Sequence, residues 1–158
     1  DVIRKKTASL IATCCESAAV SVDRTDVSED MRKFGELVGL AFQIKDDIFD
    51  YGAPGKIGKP TGLDIRERKM TLPLIYALNN SSKEVRKELI NIVKNHNEDT
   101  KKIRRAVQLV IDHGGIKYAH KRMTELAGEA LEILKPMDDS QAKRSLIGLV
   151  EYTINREK

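Results

Sequence analysis

Apolar residues recur with helical spacing along nearly the whole chain, and no stretch shows the strict alternation of a half-buried strand. Glycine and proline punctuate this pattern at residues 52–62, at Gly114-Gly115 and at Pro136. The pattern predicts about seven helices, at approximately residues 1–22, 28–51, 69–78, 81–95, 99–112, 116–134 and 140–153. We therefore expect one all-α domain covering residues 1–158.

The second predicted helix carries a narrow polar stripe on a mostly apolar cylinder. At about 100° per residue, five polar side chains fall within an arc of roughly 100°, namely Glu36, Gln43, Asp46, Asp47 and Asp50. Lys45 is the exception among the apolar residues that follow Leu37 on the other faces. A surface helix normally has a broad polar face, so this pattern indicates a helix inside a bundle whose polar stripe lines a cavity.

Three of these residues, Asp46, Asp47 and Asp50, form an acidic cluster. Like charges four residues apart cost about 0.2–0.5 kcal/mol on an exposed helix, and more where solvent is excluded. A bound cation would remove this cost. Oxygen ligands of this kind suit Mg²⁺, which commonly links one or two carboxylates to substrate phosphates. A solvated acidic helix end is the alternative that the cluster alone leaves open.

The segment after this helix, residues 52–62, contains four glycines and two prolines and is predicted to be a loop. Long loops inside compact domains are usually functional. Cations lie within it and just beyond it, at Lys56, Lys59, Arg66, Arg68 and Lys69. Metal-binding acids beside a glycine-rich segment with several lysines are typical of a diphosphate site, where metal and lysines share the neutralisation of the phosphates.

Composition excludes several other functions. Charged residues make up 33% of the 158 positions and the net charge is only +4, without a basic stretch interleaved with aromatic residues, so nucleic-acid binding is not expected. No apolar run is long enough to span a bilayer and no signal peptide is visible, so we expect a cytoplasmic protein. The adjacent Cys14 and Cys15 are poorly placed to bridge each other and receive no catalytic role.

Three motifs in register carry a resemblance to a known family. Residues 43–50 (QIKDDIFD), 58–64 (GKPTGLD) and 67–73 (ERKMTLP) resemble the second aspartate-rich region of the trans-prenyltransferases, or polyprenyl diphosphate synthases. Upstream, Lys6-Thr7 resembles the Lys-Thr pair on the family's preceding substrate-facing helix. The resemblance covers essentially the whole chain, although the second half matches in helical character more than in motifs.

This resemblance implies an isoprenoid-synthase helical bundle and a reaction that joins an allylic diphosphate to isopentenyl diphosphate, releasing pyrophosphate. It implies that Asp46, Asp47 and Asp50 hold Mg²⁺, directly or through its waters. It also implies that Lys6 and Lys59 hold the allylic diphosphate, with Lys69 as a further candidate. By the same resemblance, Thr7 and Gln43 orient their dipoles toward the allylic carbocation. The family further implies a homodimer.

One departure from the family pattern limits these expectations. The family's first aspartate-rich motif and its N-terminal basic motif are not found in these residues. Asp138-Asp139 follows Pro136 without a third aspartate, and helix capping is its expected role. The chain therefore resembles the C-terminal half of a synthase, and we expect little or no prenyl transfer by these residues alone. The residues that set product length in the family are also missing.

Two other classes stay open at this point. The chain could be a non-catalytic or regulatory helical subunit that pairs with a separate polypeptide supplying the missing motif. It could also be a terpene cyclase, a related all-α magnesium enzyme. The segment from Gly58 to Asp64 and the following Thr71-Leu72-Pro73 match chain-elongating enzymes better than cyclases.

Overall fold

The computed structural model describes residues 1–52 and 61–157. Within these ranges all regular structure is helical, which confirms the predicted all-α class. The helices are α1 (Ser9–Ser21), α2 (Ser28–Phe49), α3 (Leu63–Arg66), α4 (Leu72–Asn80), α5 (Lys83–Asn95), α6 (Thr100–Asp112), α7 (Gly115–Leu134) and α8 (Gln141–Asn155). In the described part of the chain, no helix combines the length and the apolarity needed to cross a membrane.

Three predicted helix starts are confirmed by their capping bonds. Ser82 accepts a hydrogen bond from the Val85 N–H, and Ser140 accepts one from the Lys143 N–H. Asp99 accepts bonds from both Lys101 and Lys102 at the start of α6. Side-chain oxygens at these positions pair with amides that have no partner inside their own helix.

Other boundaries differ from the prediction. The helix predicted from residue 69 begins only at Leu72, because Thr71 is extended with ψ at 160° and Pro73 occupies the first turn. The short helix α3 was not predicted. The first predicted helix contains a π-helical turn over Arg4–Ala8, and a 3₁₀ turn over Thr25–Val27 precedes α2.

The chain divides into two compact units. The first unit comprises Asp1–Lys45 and Arg122–Glu157, and the second comprises Asp46–Lys121. Helix α2 contributes most of its length to the first unit and its last four residues, from Asp46 to Phe49, to the second. The expectation of a single domain stays a prediction.

In the first unit, α1 and α2 approach each other closely through glycine. A Cβ added at Gly35 would lie 2.7 Å from the Ile11 carbonyl oxygen, and one at Gly39 would lie 2.7 Å from the Ala8 Cα. Only hydrogen fits at such separations. Around this contact α2 buries Phe34, Leu37, Val38, Ala41 and Ile44.

The end of α8 also binds α2 within the first unit. The Lys45 ammonium donates a hydrogen bond of 2.8 Å to the Ile154 carbonyl, and the Arg156 guanidinium lies 4.0 Å from the Phe42 ring centroid. This explains why a lysine interrupts the apolar faces of α2: it is buried, but it is hydrogen-bonded. Burial, and secondarily the charge of Arg156, lowers the pKa of Lys45.

The second unit is built on its own apolar core. Helices α4, α5 and α6 contribute most of the core, and Tyr51 and Ile65 join it from the segments at either end of residues 52–62. Its most deeply buried side chains include Leu74, Leu89 and Val110. At the edge of this unit the rings of Tyr76 and Tyr118 stack at 4.3 Å.

We predict opposite effects for two glycine-to-alanine changes in helices. Gly35→Ala places a methyl group against the α1 backbone, whereas Gly128→Ala meets nothing within 4 Å. Overpacking costs about 1–3 kcal/mol, while alanine gains up to about 1 kcal/mol over glycine in an open helical position. Urea unfolding should therefore show Gly35→Ala to be less stable than Gly128→Ala by about 1–3 kcal/mol. Equal stabilities would contradict the close helix contact.

Candidate functional site

Asp47 lies near the start of α4. It is half-buried near the end of α2, and the N–H of Leu72, the first residue of α4, acts on its carboxylate in the direction that lowers its pKa. The first amides of a helix have no intrahelical partner, and a carboxylate beside them is favoured by the helix dipole. One carboxylate of the acidic cluster thus lies beside the N-terminus of a second helix.

The surroundings of Asp47 disfavour its negative charge. Its pKa is raised to about 7, first by burial, then by the charge of Asp64 and to a smaller extent by Asp46. The Leu72 N–H and the Lys69 ammonium act in the opposite direction without cancelling the rise. Several acids thus share a partly desolvated region with too little compensating charge, which is the condition that an added cation relieves.

Asp50 has a different role from Asp47. Its carboxylate accepts hydrogen bonds from two successive backbone amides, those of Leu63 at 2.9 Å and Asp64 at 3.0 Å. Its own carbonyl accepts a third bond, of 2.9 Å, from the Gly62 N–H. Residue 50 therefore holds the start of α3 and brings residues 50 and 62 together. The sequence motif predicts Asp50 as a metal ligand and gives no sign of this structural function.

Lys69 is paired with acidic neighbours. Its ammonium lies 3.2 Å from the Asp64 carboxylate and 2.6 Å from that of Glu67. These bonds raise the pKa of Lys69, with Glu67 contributing more than Asp64. About half of the Lys69 side chain stays exposed (52%), whereas Asp64 is largely covered (16%). Asp64 is thus an acidic residue of the site that the sequence analysis did not include among the candidates.

A buried hydrogen bond joins Tyr51 to Thr71 at 2.7 Å between their hydroxyl oxygens. Burial raises the pKa of Tyr51 well above its usual range, so the phenol stays protonated. The bond connects the segment that follows α2 with the residue that precedes α4. No helical periodicity marks Tyr51 or Thr71 as partners, and sequence reasoning missed them.

In the first unit the structure brings Thr7 and Gln43 together. The Thr7 hydroxyl donates a hydrogen bond of 3.2 Å to the Gln43 side-chain oxygen. Lys6 is exposed on the same π-helical turn. Glu36, at the far end of the polar stripe, forms ion pairs with Arg4 and Arg32. The pair predicted to provide dipoles is therefore in contact.

The predicted site residues belong to different parts of the structure. Lys59, and Lys56 with it, lies outside the described residues. The first unit holds Lys6, Thr7 and Gln43, and the second holds Asp46, Asp47, Asp50 and Lys69. A common site formed by both sets stays a prediction.

The carboxylates of the second unit meet the chemical needs of Mg²⁺ in part. Within residues 1–52 and 61–157, no group of three or more His, Cys, Asp or Glu side chains is arranged to hold a metal ion. Mg²⁺ needs fewer protein ligands, since it usually keeps several waters and binds one or two carboxylates together with substrate phosphates. That Asp46 and Asp47 form such a pair stays a prediction; the pKa of Asp47 is raised first by burial and then by the charge of Asp64.

Comparison with known proteins shows the family of the chain. The family model for polyprenyl synthetase matches residues 1–110. A short chain isoprenyl diphosphate synthase of Methanothermobacter thermautotrophicus is 34% identical over 162 aligned positions. Among solved structures, a geranylgeranyl pyrophosphate synthase from Bacteroides thetaiotaomicron is 39% identical with a TM-score of 0.89. The chain therefore belongs to the polyprenyl synthetase family.

A second solved structure is informative about ligands. The polyprenyl synthase from Caulobacter crescentus, complexed with calcium and isoprenyl diphosphate, is 32% identical with a TM-score of 0.87. These matches cover 98–99% of the chain. The chain spans about half the length of each relative, namely 48% of the archaeal enzyme and 52% and 48% of the two solved structures.

We predict that Asp50→Ala loosens α3 and lowers stability. The change leaves the amides of Leu63 and Asp64 without their acceptor, and the loss of charge-assisted bonds of this kind costs about 1–3 kcal/mol. Hydrogen exchange at these two amides should accelerate, while the amide of the buried Val150 in the first unit serves as an internal reference in the same sample. Unchanged protection at Leu63 and Asp64 would contradict the assigned bonds.

We predict a pH-dependent effect for Asp47→Asn in metal-free buffer. Because folding raises the Asp47 pKa to about 7 from an unfolded value near 3.9, ionisation of this group lowers stability as pH rises between these values. Asparagine has nearly the same shape as aspartate and stays neutral across this range. The free energy of unfolding of the variant, minus that of the wild type, should increase from about pH 4 to about pH 8.

The measurement is urea unfolding of both proteins across this range with a chelator present. Because only the difference between the two proteins is used, contributions common to both cancel. A difference that stays constant with pH, or decreases, would contradict the assigned environment of Asp47.

Proposed function

We propose that this chain forms part of a polyprenyl diphosphate synthase that condenses an allylic diphosphate with isopentenyl diphosphate, with Mg²⁺ assisting ionisation. The observation that carries the proposal is the partly buried acidic group at the end of α2, where Asp47 lies under the influence of Asp64 and Asp46 in a chain of this family. A cation that also binds a diphosphate would relieve the electrostatic cost of such a group.

The acidic residues have two proposed roles: ligation of the metal, and positioning of the neighbouring segments. Asp46 and Asp47 would hold Mg²⁺, which supplies neutralisation of the leaving diphosphate when bound. Asp50 uses both oxygens on backbone amides, so we assign it to positioning α3 and, through the remaining lone pairs of these oxygens, to hydrogen bonds with metal-bound water. The backbone amide of Asp64 donates to the Asp50 carboxylate. The Asp64 side chain would add a further negative charge beside the metal.

The basic and polar residues act on the two ends of the breaking C–O bond. Lys6 and Lys59 would bind the diphosphate as point charges, and Lys69 would join them by exchanging Glu67 for phosphate, since its ammonium is half-exposed. Thr7 and Gln43 would stabilise the allylic cation. Their mutual hydrogen bond orients the Gln43 amide before reaction, and preorganised dipoles avoid the cost of reorientation in the transition state.

We also propose that these residues do not elongate prenyl chains by themselves and that the working synthase is a homodimer. The family's first aspartate-rich motif is not found among the 158 residues, and an exposed apolar surface favours association. In the first unit Val2, Leu10 and Val22 are examples of such exposed side chains. A cytoplasmic location likewise stays a prediction.

The test is Mg²⁺-dependent binding of geranyl diphosphate, measured by calorimetry on the 158-residue chain. We predict that the double change Asp46→Asn and Asp47→Asn weakens binding in the presence of Mg²⁺ by at least about tenfold, or about 1.4 kcal/mol. Without Mg²⁺ the variant and the wild type should bind equally weakly, because the lost carboxylates act through the metal.

The matched control is Asp138→Asn with Asp139→Asn, which changes the same charge at another adjacent aspartate pair. Asp139 forms only an exposed ion pair with Arg144, so this variant should bind like the wild type. Absence of Mg²⁺-dependent binding by the wild type, or equal losses in both double variants, would contradict the proposed site. Elongation of geranyl diphosphate by the chain alone would contradict the proposed inactivity.

A further inference from the structure

A concave apolar surface lies between α4 and α5 in the second unit, and its lining includes none of the candidate diphosphate-site residues. This groove encloses about 310 Å³, and its apolar lining is formed by Met70, Ile75, Leu78, Ile90 and Val93. Volumes of this size lie at the lower end of the range for small-molecule sites, about 300–1,000 Å³. Met70, Ile75 and Ile90 stay 54%, 39% and 37% exposed, so an apolar ligand would cover surface that the fold leaves in water.

Two cations border the groove on the α5 side. Arg86, Ile90 and Lys94 are spaced four residues apart and therefore follow one face of the helix. The two charges thus flank an exposed isoleucine. Neither cation forms an ion pair with any carboxylate of residues 1–52 and 61–157.

Glu84 and Glu88, the two acidic residues nearest to Arg86 in sequence, do not line the groove. Glu88 lies on a different face of α5 and binds the Arg105 guanidinium of α6 at 3.0 Å. The remaining polar residue of the groove is the neutral Asn79. Among the described residues, the lining therefore combines an apolar floor, two cations outside any ion pair and no carboxylate, which is complementary to a ligand with an apolar chain and an anionic head.

We propose that the groove between α4 and α5 binds a small anionic amphiphile, with its chain on Met70, Ile75 and Ile90 and its head between Arg86 and Lys94. The head can be a carboxylate or a phosphate, because both accept hydrogen bonds from guanidinium and ammonium groups. This site is separate from the diphosphate site and does not depend on the proposed synthase activity.

The methionine methyl groups provide a direct test by nuclear magnetic resonance. The chain has four methionines, of which Met70 lines this groove, Met31 and Met137 line a different apolar cleft in the first unit, and Met123 is buried. Dodecyl phosphate and dodecanoate, added below their micelle concentrations in chelator-containing buffer, should shift the Met70 methyl signal saturably. Met31 and Met137 should shift only at much higher concentrations.

Charge dependence is tested with two double variants of α5 that remove the same charge. Arg86→Gln with Lys94→Gln should weaken binding of both anionic amphiphiles by at least about tenfold. Lys83→Gln with Lys87→Gln changes exposed lysines that do not line the groove and should leave the affinity within about twofold. All four positions are exposed, so folding is expected to survive, and unfolding curves verify this.

The remaining ligands separate the alternatives. Dodecanol should bind at least about tenfold more weakly than dodecyl phosphate, and inorganic phosphate alone should not shift Met70. The proposal would be overturned by dodecanol binding with equal affinity, by equal losses in both double variants, or by Met31 and Met137 signals that shift at lower amphiphile concentrations than Met70. A Met70 shift that depends only on protein concentration would assign the groove to a second copy of the chain and would also overturn it.

Discussion

Backbone amides hold the Asp50 carboxylate just beyond α2, and these bonds position the acidic residues of the second unit. Asp50 accepts from the Leu63 and Asp64 amides at the start of α3. Hydrogen bonds to a charged acceptor contribute about 1.5–3 kcal/mol each, more than the repulsion between neighbouring carboxylates on a helix, about 0.2–0.5 kcal/mol. Acids that repel one another can therefore be kept close without a metal.

The same bonds place the chemical groups. Because Asp50 fixes the start of α3, the Asp64 carboxylate comes close enough to Asp47 to raise its pKa, and Lys69 reaches Asp64. The Tyr51–Thr71 hydrogen bond reinforces the connection between α2 and α4 from inside the core. The arrangement thus combines a hydrogen-bonded framework with an acidic group whose charge is disfavoured by burial and by its acidic neighbours.

Helical periodicity was sufficient to predict the fold class and most helix boundaries. Apolar spacing marks the buried faces of α5 and α6, and Ser82, Asp99 and Ser140 mark helix starts because their side chains can cap amides. The Thr7–Gln43 contact could also be predicted, because the family motif assigns both residues the same function.

The partners of the acidic residues could not be predicted from the pattern. A helical wheel shows which side chains share a face, but it does not show which amide of a later segment an aspartate will bind. The role of Asp50, the Tyr51–Thr71 bond and the pairing of Lys69 with Glu67 depend on how irregular segments fold back. The burial of Lys45 could not be predicted for the same reason, because its hydrogen-bond acceptor, the Ile154 carbonyl, is distant in sequence.

Gly62 has a consequence for how this region can change. Its φ of +81° disfavours any side chain, and a Cβ there would lie 2.4 Å from a methyl group of Ile103. Both backbone conformation and space thus exclude the other amino acids at this position. Insertions or deletions between the acidic helix and α3 are therefore expected to fall before residue 62. A descendant gene could then alter the length of that connection while α3 and the helices after it keep their positions relative to Gly62.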